Sequence, residues 1–271
     1  MKKNRWFAVI PAMVMVLAIP GFSEGSDSKK MQGNKLANLA LAESSKGSYS
    51  DCVVGDFVLK DGTVLSKDET PEIGTVAAVI VRAAADGKPA LGVGIVHSRG
   101  GLAWCTDYGF AGFTGYDIKI TALVGDKTTG YMDGSDGWEK LKAACPDAES
   151  NPEEYPKYPA WNYCRNYGAN NGLTGDLATG WYLPTVAELY TIYQNIAAVD
   201  KSLSKAGGSQ FDNEIYWSCC QSPSYNNFAR VLAFSYGNMF DFPKTDNGDA
   251  NATGDYRYYY LIYVCSVRAF N

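Results

Sequence analysis

Histidine is nearly missing from this chain: His97 is the one imidazole in 271 residues. With a single imidazole and no G-x-S-x-G segment, a serine or cysteine hydrolase triad cannot be assembled from the usual parts. No two of the seven cysteines have C-x-x-C spacing, so a structural zinc site lacks its ligand set. No G-x-x-x-x-G-K-[ST] pattern occurs, and Gly100-Gly101 and Gly207-Gly208 read as turns rather than phosphate loops. His97 itself reads as a strand-end surface residue or a satisfied buried one. Basic clusters are lacking as well. The chain carries 24 Lys and Arg against 29 Asp and Glu, a net charge of −5. That balance argues against nucleic acid and anionic membrane surfaces as partners.

Long apolar runs are confined to one place, the start. Lys2, Lys3 and Arg5 precede an apolar stretch from Trp6 to Ile19, and the small residues Gly21 and Ser23 stand before Glu24. This is the pattern of a signal peptide over residues 1–23. An uncleaved anchor is the alternative, but the stretch is short of the roughly 20 apolar residues a spanning helix needs. No cysteine follows it to accept lipid. Removal takes three basic residues and no acid, so the remainder holds 21 basic against 29 acidic residues, a charge of −8. The expectation is an exported protein, at the cell surface, in the periplasm or secreted, meeting membranes only by surface association.

All seven cysteines (52, 105, 145, 164, 219, 220 and 265) lie beyond residue 23. Export permits disulfides, but an odd count leaves at least one thiol unpaired. Adjacent Cys219 and Cys220 have poor geometry for bonding each other. One bridge, Cys145 with Cys164, is the simplest expectation, although spacing alone does not settle connectivity.

Residues 24–50 are small and polar and read as a linker, with one short helix around 34–42. Asp61-Gly62 between two apolar runs is a hairpin signal. Residues 75–84 are rich in Val and Ile and favour a strand over a helix, 90–98 form a second strand, and Asp86-Gly-Lys-Pro89 is the turn between them. Pro159 and Gly168 bracket a helix over 158–167. A second helix starts at the capping box Thr185-Val-Ala-Glu188. Val186, Leu189, Tyr190, Tyr193, Ile196 and Ala197 then recur on one face. Beyond Gly207 come short strands separated by polar loops, and no internal repeat is present.

From Phe211 to Asn271 the chain mixes Tyr, Phe and Cys with Asn, Ser and Asp. Tyrosine offers large contact area at low entropic cost, and small polar residues adapt their hydrogen bonds, so the composition points to binding. The segment Asp246–Asp255 could offer oxygens to a hard cation. It lacks EF-hand spacing, and a solvated loop is the simpler reading; no metal and no cofactor is assigned.

Three ordered motifs carry a family resemblance: Gly180-Trp-Tyr-Leu-Pro-Thr-x-x-Glu-Leu-Tyr190, Tyr216-Trp-Ser218 and Val267-Arg-Ala-Phe270. Over about residues 135–271 the chain resembles the C-type-lectin-like fold of the formylglycine-generating-enzyme type. The resemblance implies an α+β domain over 51–271, two helices on a twisted antiparallel sheet. Enzymes of that family use a C-x4-C pair near the C-terminus to bind copper. Here Cys265 stands without such a partner, so the chain is expected not to be an enzyme. A degenerate oxidase relative and a fixed-sequence envelope adhesin are the alternatives.

The C-terminal part is similar to one subgroup, the variable proteins of diversity-generating retroelements of the Treponema variable protein type. That likeness implies a region of about 211–265 diversified by copying a mutated template repeat, and a monomer that binds an external macromolecule, a protein. Cys219-Cys220 is what mutagenesis of serine codons leaves. Alternation along Arg230–Tyr236 assigns Leu232 and Phe234 to the core and Val231, Ala233 and Tyr236 to the surface. The expected binding face is Cys219, Cys220, Ser222, Tyr225, Asn226, Asn227, Val231, Ala233, Tyr236, Phe240, Asp241, Phe242, Tyr259 and Tyr263. Trp217, Val267 and Phe270 are expected in the core.

Overall fold

The computed structural model describes residues 48–106, 118–149, 157–245 and 261–271. The signal-peptide, linker-helix and acidic-loop assignments, and Tyr259, lie outside these residues. Among them, no helix is long and apolar enough to cross a membrane. Tyr49–Asp51, which the sequence places at the end of the linker and the start of the domain, form a short 3-10 turn with Ser48 as its N-cap. There the Tyr49 ring lies 5.1 Å from that of Phe270.

The chain is mixed α+β, with two sheets rather than the single sheet expected. The first has the order β2-β1-β3-β4-β9 and is antiparallel throughout, built from β1 (Phe57–Leu59), β2 (Val64–Leu65), β3 (Val76–Arg82), β4 (Ala90–Gly94) and β9 (Val267–Phe270). Both predicted turns are present. Asp61 Oδ1 accepts the Thr63 N–H at 2.9 Å, and its two strands pair as β1 and β2. Asp86 (φ 53°) and Gly87 (φ 73°) both take the left-handed conformation that a tight two-residue hairpin demands. β3 shows no alternation because both its faces are covered: Val79 and Val81 enter one core, Ala78 and Ile80 another.

Five α-helices are described: α1 (Gly137–Ala144), α2 (Pro159–Arg165), α3 (Tyr167–Asn170), α4 (Val186–Gln194) and α5 (Ile196–Lys205). The segment 158–167, predicted as one helix, starts with Pro159 in its first turn and breaks at Asn166. The capping box is complete. Thr185 Oγ1 accepts the Glu188 N–H at 3.1 Å, and Glu188 Oε2 accepts the Thr185 N–H at 2.8 Å. The apolar face predicted to continue through Ala197 is interrupted at Asn195. Its Nδ2 donates to Thr191 O and to Val81 O on β3, competing with the helical ladder.

The second sheet has the order β7-β6-β5-β8, from β5 (Ile215–Gln221), β6 (Phe228–Ala233), β7 (Asn238–Pro243) and β8 (Ile262–Tyr263). β5 and β8 run parallel. This sheet also has two covered faces. Ile215, Trp217, Val231 and Ala233 pack with α1 and α2 and with Trp104, Trp138 and Trp161. Tyr216, Leu232 and Phe234 enter a second core with α4, α5 and the first sheet. A register shift between Trp217 and Gln221 breaks alternation on β5, so Cys219 and Cys220 both join the first of these cores. All seven residues of β5 are buried.

Candidate functional site

The C-terminal residues expected to be displayed divide into a buried frame and an exposed rim. Cys219, Cys220, Ser222, Val231, Ala233 and Phe242 are buried, which corrects their assignment to a binding face. The reason is the two-sided burial of the sheet: the smaller side chains of β6 do not look at solvent but at the tryptophan-rich core beneath. Leu232, Phe234, Trp217, Val267 and Phe270 are buried as expected.

The rim runs along the β6–β7 hairpin. Tyr225 and Asn226 sit in the loop entering β6, Phe240 stands on β7, and Tyr236 projects from the hairpin turn. Tyr225 is 59% exposed, Phe240 45% and Tyr236 77%; among the described residues Val53, Ile73 and Leu261 are the other exposed large apolar side chains, and they lie away from this hairpin. Asn227 and Asp241 are half-buried. Asn238, not among the expected residues, is exposed two positions from Phe240. The period of two from Phe240 was the signal that could have found it. Tyr263 is partly exposed, but β8 is the opposite edge of the sheet, three strand spacings or about 14 Å from β7.

The frame fixes this rim through hydrogen bonds. Ser222 Oγ donates to Asp241 Oδ2 at 2.7 Å and accepts the N–H groups of Ser224 and Tyr225, clamping the loop onto β7. Gln221, fully buried, accepts the Ile120 N–H at 2.7 Å and donates to the Asn226 and Ile118 carbonyls. Arg230 bonds the Gly125 carbonyl at 2.7 Å and pairs with Asp241 across the hairpin at 3.5 Å. Tyr225 is also supported by the Phe228 ring, with centroids 5.3 Å apart.

Beneath the frame the titratable groups are tuned by burial. Glu188 accepts from Tyr182 Oη, Thr185 and the Gly134 N–H, yet burial pushes its carboxyl up to about 7. His97, held at Nδ1 by Tyr216 at 2.8 Å, is pushed down to about 3 by burial and is a neutral core residue. Burial raises the Cys219 thiol well above its ordinary value, whereas the hydrogen bond from Cys219 lowers Cys220. All seven cysteines are buried, and Cys164 is a thiol whose Sγ donates to the Cys265 carbonyl at 3.4 Å, so the expected Cys145–Cys164 bridge is not formed. Both thiols instead pack as small apolar groups in the tryptophan core.

Neither the protein-family models nor the curated proteins compared with this chain give a match.

Proposed function

We propose that this is an exported ligand-binding protein, not an enzyme, whose C-terminal hairpin presents aromatic anchors to an external protein ligand. The observation that carries the reading is the division just described: Tyr225, Tyr236 and Phe240 project from a hairpin whose Ala229, Val231, Leu232, Ala233, Phe234 and Phe242 side chains are packed into two cores. A few aromatic anchors on a rigid base is the arrangement by which interfaces concentrate affinity in few residues. Rigid support also means little ordering entropy is lost on binding. Burial at Cys265 counts in the same direction, since a thiol pushed well above its ordinary pKa is a poor nucleophile at neutral pH.

In this reading the two sheets and capped helix are a C-type-lectin-like domain of the formylglycine-generating-enzyme subtype. The rim within about 211–265 is diversified by a retroelement, and the protein acts as a monomer at the cell surface or in the periplasm. Sequencing the gene across a population, with a search of its neighbourhood for a reverse transcriptase and a near-copy template repeat, tests this. Substitutions should map to template adenines and fall on exposed positions such as Tyr225, Asn226, Tyr236, Asn238 and Phe240. They should spare Trp217, Gly237, Val267, Arg268 and Phe270. Changes scattered evenly over the chain, or the absence of any template repeat, would remove the retroelement from the reading.

A further inference from the structure

Four outer edges bound the two sheets, and three of them are short or met by other chain. β2 ends the first sheet with two residues, and β8 ends the second with two. β9, at the other end of the first sheet, is met by Tyr182, which exchanges backbone hydrogen bonds with Val267 at 2.9 and 3.0 Å. The fourth edge belongs to β7. It runs for six residues and pairs with β6 residue for residue, without a register shift. Among the described residues no strand lies on its outer side.

One bond fixes which backbone groups β7 turns outward. The Lys244 N–H donates to the Asn227 carbonyl at 2.9 Å, in the register that sets Phe228 opposite Pro243. Hydrogen-bonded positions alternate along an antiparallel pair. Phe242, Phe240 and Asn238 therefore turn their backbone groups to β6, and Met239 and Asp241 turn theirs away. The far side of β6 agrees. Phe228 accepts the Ser222 N–H at 3.1 Å and Phe234 donates to the Glu214 carbonyl at 2.9 Å, so the even-numbered residues there face β5. Among the described residues nothing bonds the N–H or C=O of Met239 or Asp241. These open groups repeat every second residue, about 6.8 Å apart.

Exposed edges are commonly guarded by lysine, a bulge, an inward-pointing charge or proline. β7 has no lysine and no bulge. Its one charge, Asp241, is engaged by Ser222 at 2.7 Å and by Arg230 at 3.5 Å, so it does not guard the edge. Pro243 stands at the far end and leaves Met239 to Asp241 open, with the exposed Phe240 ring between them.

We propose that the β7 edge receives an extended segment of the protein ligand as an added strand. This rests on the reading of the hairpin as the ligand-binding face and adds the form in which the ligand is held. Donors and acceptors at a two-residue repeat are complemented by extended main chain, whereas a helix has its backbone groups bonded internally. The ligand backbone would pair with Met239 and Asp241, and a side chain beside it would lie against Phe240. Charge selects a foreign strand over a second copy. Edge-to-edge pairing would join two chains of −5 each and bring two Asp241 residues together, whereas a strand bearing lysine complements an acidic chain.

Amide hydrogen exchange of the full chain, followed by NMR, tests the proposal. In the free protein the Met239 and Asp241 N–H groups should exchange fast and those of Phe240 and Phe242 slowly, because only the latter pair are bonded. The probe is a capped octapeptide of alternating valine and lysine. At saturation it should slow Met239 and Asp241 by roughly tenfold or more, and a valine–glutamate octapeptide should bind roughly tenfold more weakly. Met239→Pro removes one edge donor and sets a ring where the strand must lie, a change that edge positions tolerate. It should abolish binding while Phe240 and Phe242 stay protected. Slow exchange at Met239 and Asp241 without peptide overturns the proposal, since the edge is then already covered; slowing that grows with protein concentration assigns it to a second copy and overturns it equally. Shifts at Tyr225 and Tyr236 with no slowing at Met239 and Asp241 also overturn the added strand, but leave the hairpin as a binding face.

Discussion

Tyr182 Oη donates a 2.8 Å hydrogen bond to Glu188 Oε1, tying the strand-like segment before α4 to the carboxylate that caps the helix. The same carboxylate takes the Thr185 and Gly134 N–H groups on Oε2. It thereby ties the distant Gly134 to the segment 182–188 inside the protein, and burial raises its pKa from 4.5 to about 7. The folded state therefore keeps a proton that the unfolded chain releases between those values. Stability from this group is greatest below about pH 4.5 and falls as pH rises through 7, by roughly 3 kcal/mol in total. Glu188→Gln keeps an acceptor for the Thr185 N–H and cannot ionise. Urea unfolding across pH 4.5–8 should show a shallower decline in the variant; identical slopes would remove Glu188 as the cause.

The hairpin should separate cleanly into display and frame. Tyr236→Ser and Phe240→Ser change exposed side chains and are expected to shift unfolding free energy by no more than about 0.5 kcal/mol. Leu232→Ala and Phe242→Ala remove buried ones and should cost about 2–5 kcal/mol each. Denaturant midpoints of the four variants decide it. Comparable losses for Tyr236→Ser and Phe242→Ala would mean that the rim is structural.

Gly237 closes the β6–β7 turn at φ +64°, and a Cβ there would stand 2.4 Å from Cε1 of Tyr193 on α4. Gly237→Ala combines that contact with a left-handed backbone and should destabilise by about 1–3 kcal/mol. Part of the loss should vanish in a Tyr193→Ala background, since the contact term is then gone while the backbone term persists. Strictly additive losses would show that the ring is not the obstacle.

The seven buried cysteines make a further test. Burial pushes Cys52 up to about 11 and Cys164 up to about 12, so neither holds appreciable thiolate at neutral pH. Iodoacetamide at pH 8 should leave the folded protein almost unmodified and add seven adducts in guanidinium. A native mass two hydrogens lighter, with five adducts, would establish a disulfide instead.

Local signals were legible where the chemistry is local. Asp61-Gly62, Asp86-Gly87, Pro159 and the Thr185–Glu188 box each state their own geometry, and each forms. What the sequence concealed was the number of layers. Alternation along Arg230–Tyr236 sorts residues into two faces but cannot say whether the second face meets water, and here it meets Trp104, Trp161 and Trp217. Small side chains such as Val231 and Ala233 thus passed for surface. The register shift on β5 is equally silent in sequence, because it depends on how β6 pairs rather than on which residues β5 contains. Tyr225, Tyr236 and Phe240 were legible because they sit at a loop, a turn and an edge, where burial on both sides ends.

Closure of the first sheet by β9 has a consequence for biogenesis. Val267–Phe270 pair with Ala90–Gly94 across more than 170 intervening residues. Until the stretch through Phe270 has left the ribosome, β4 has no neighbour on that side and its hydrogen-bonding edge stays open. Contacts of such long range form slowly and late, and an open edge in the meantime invites chaperones or other chains.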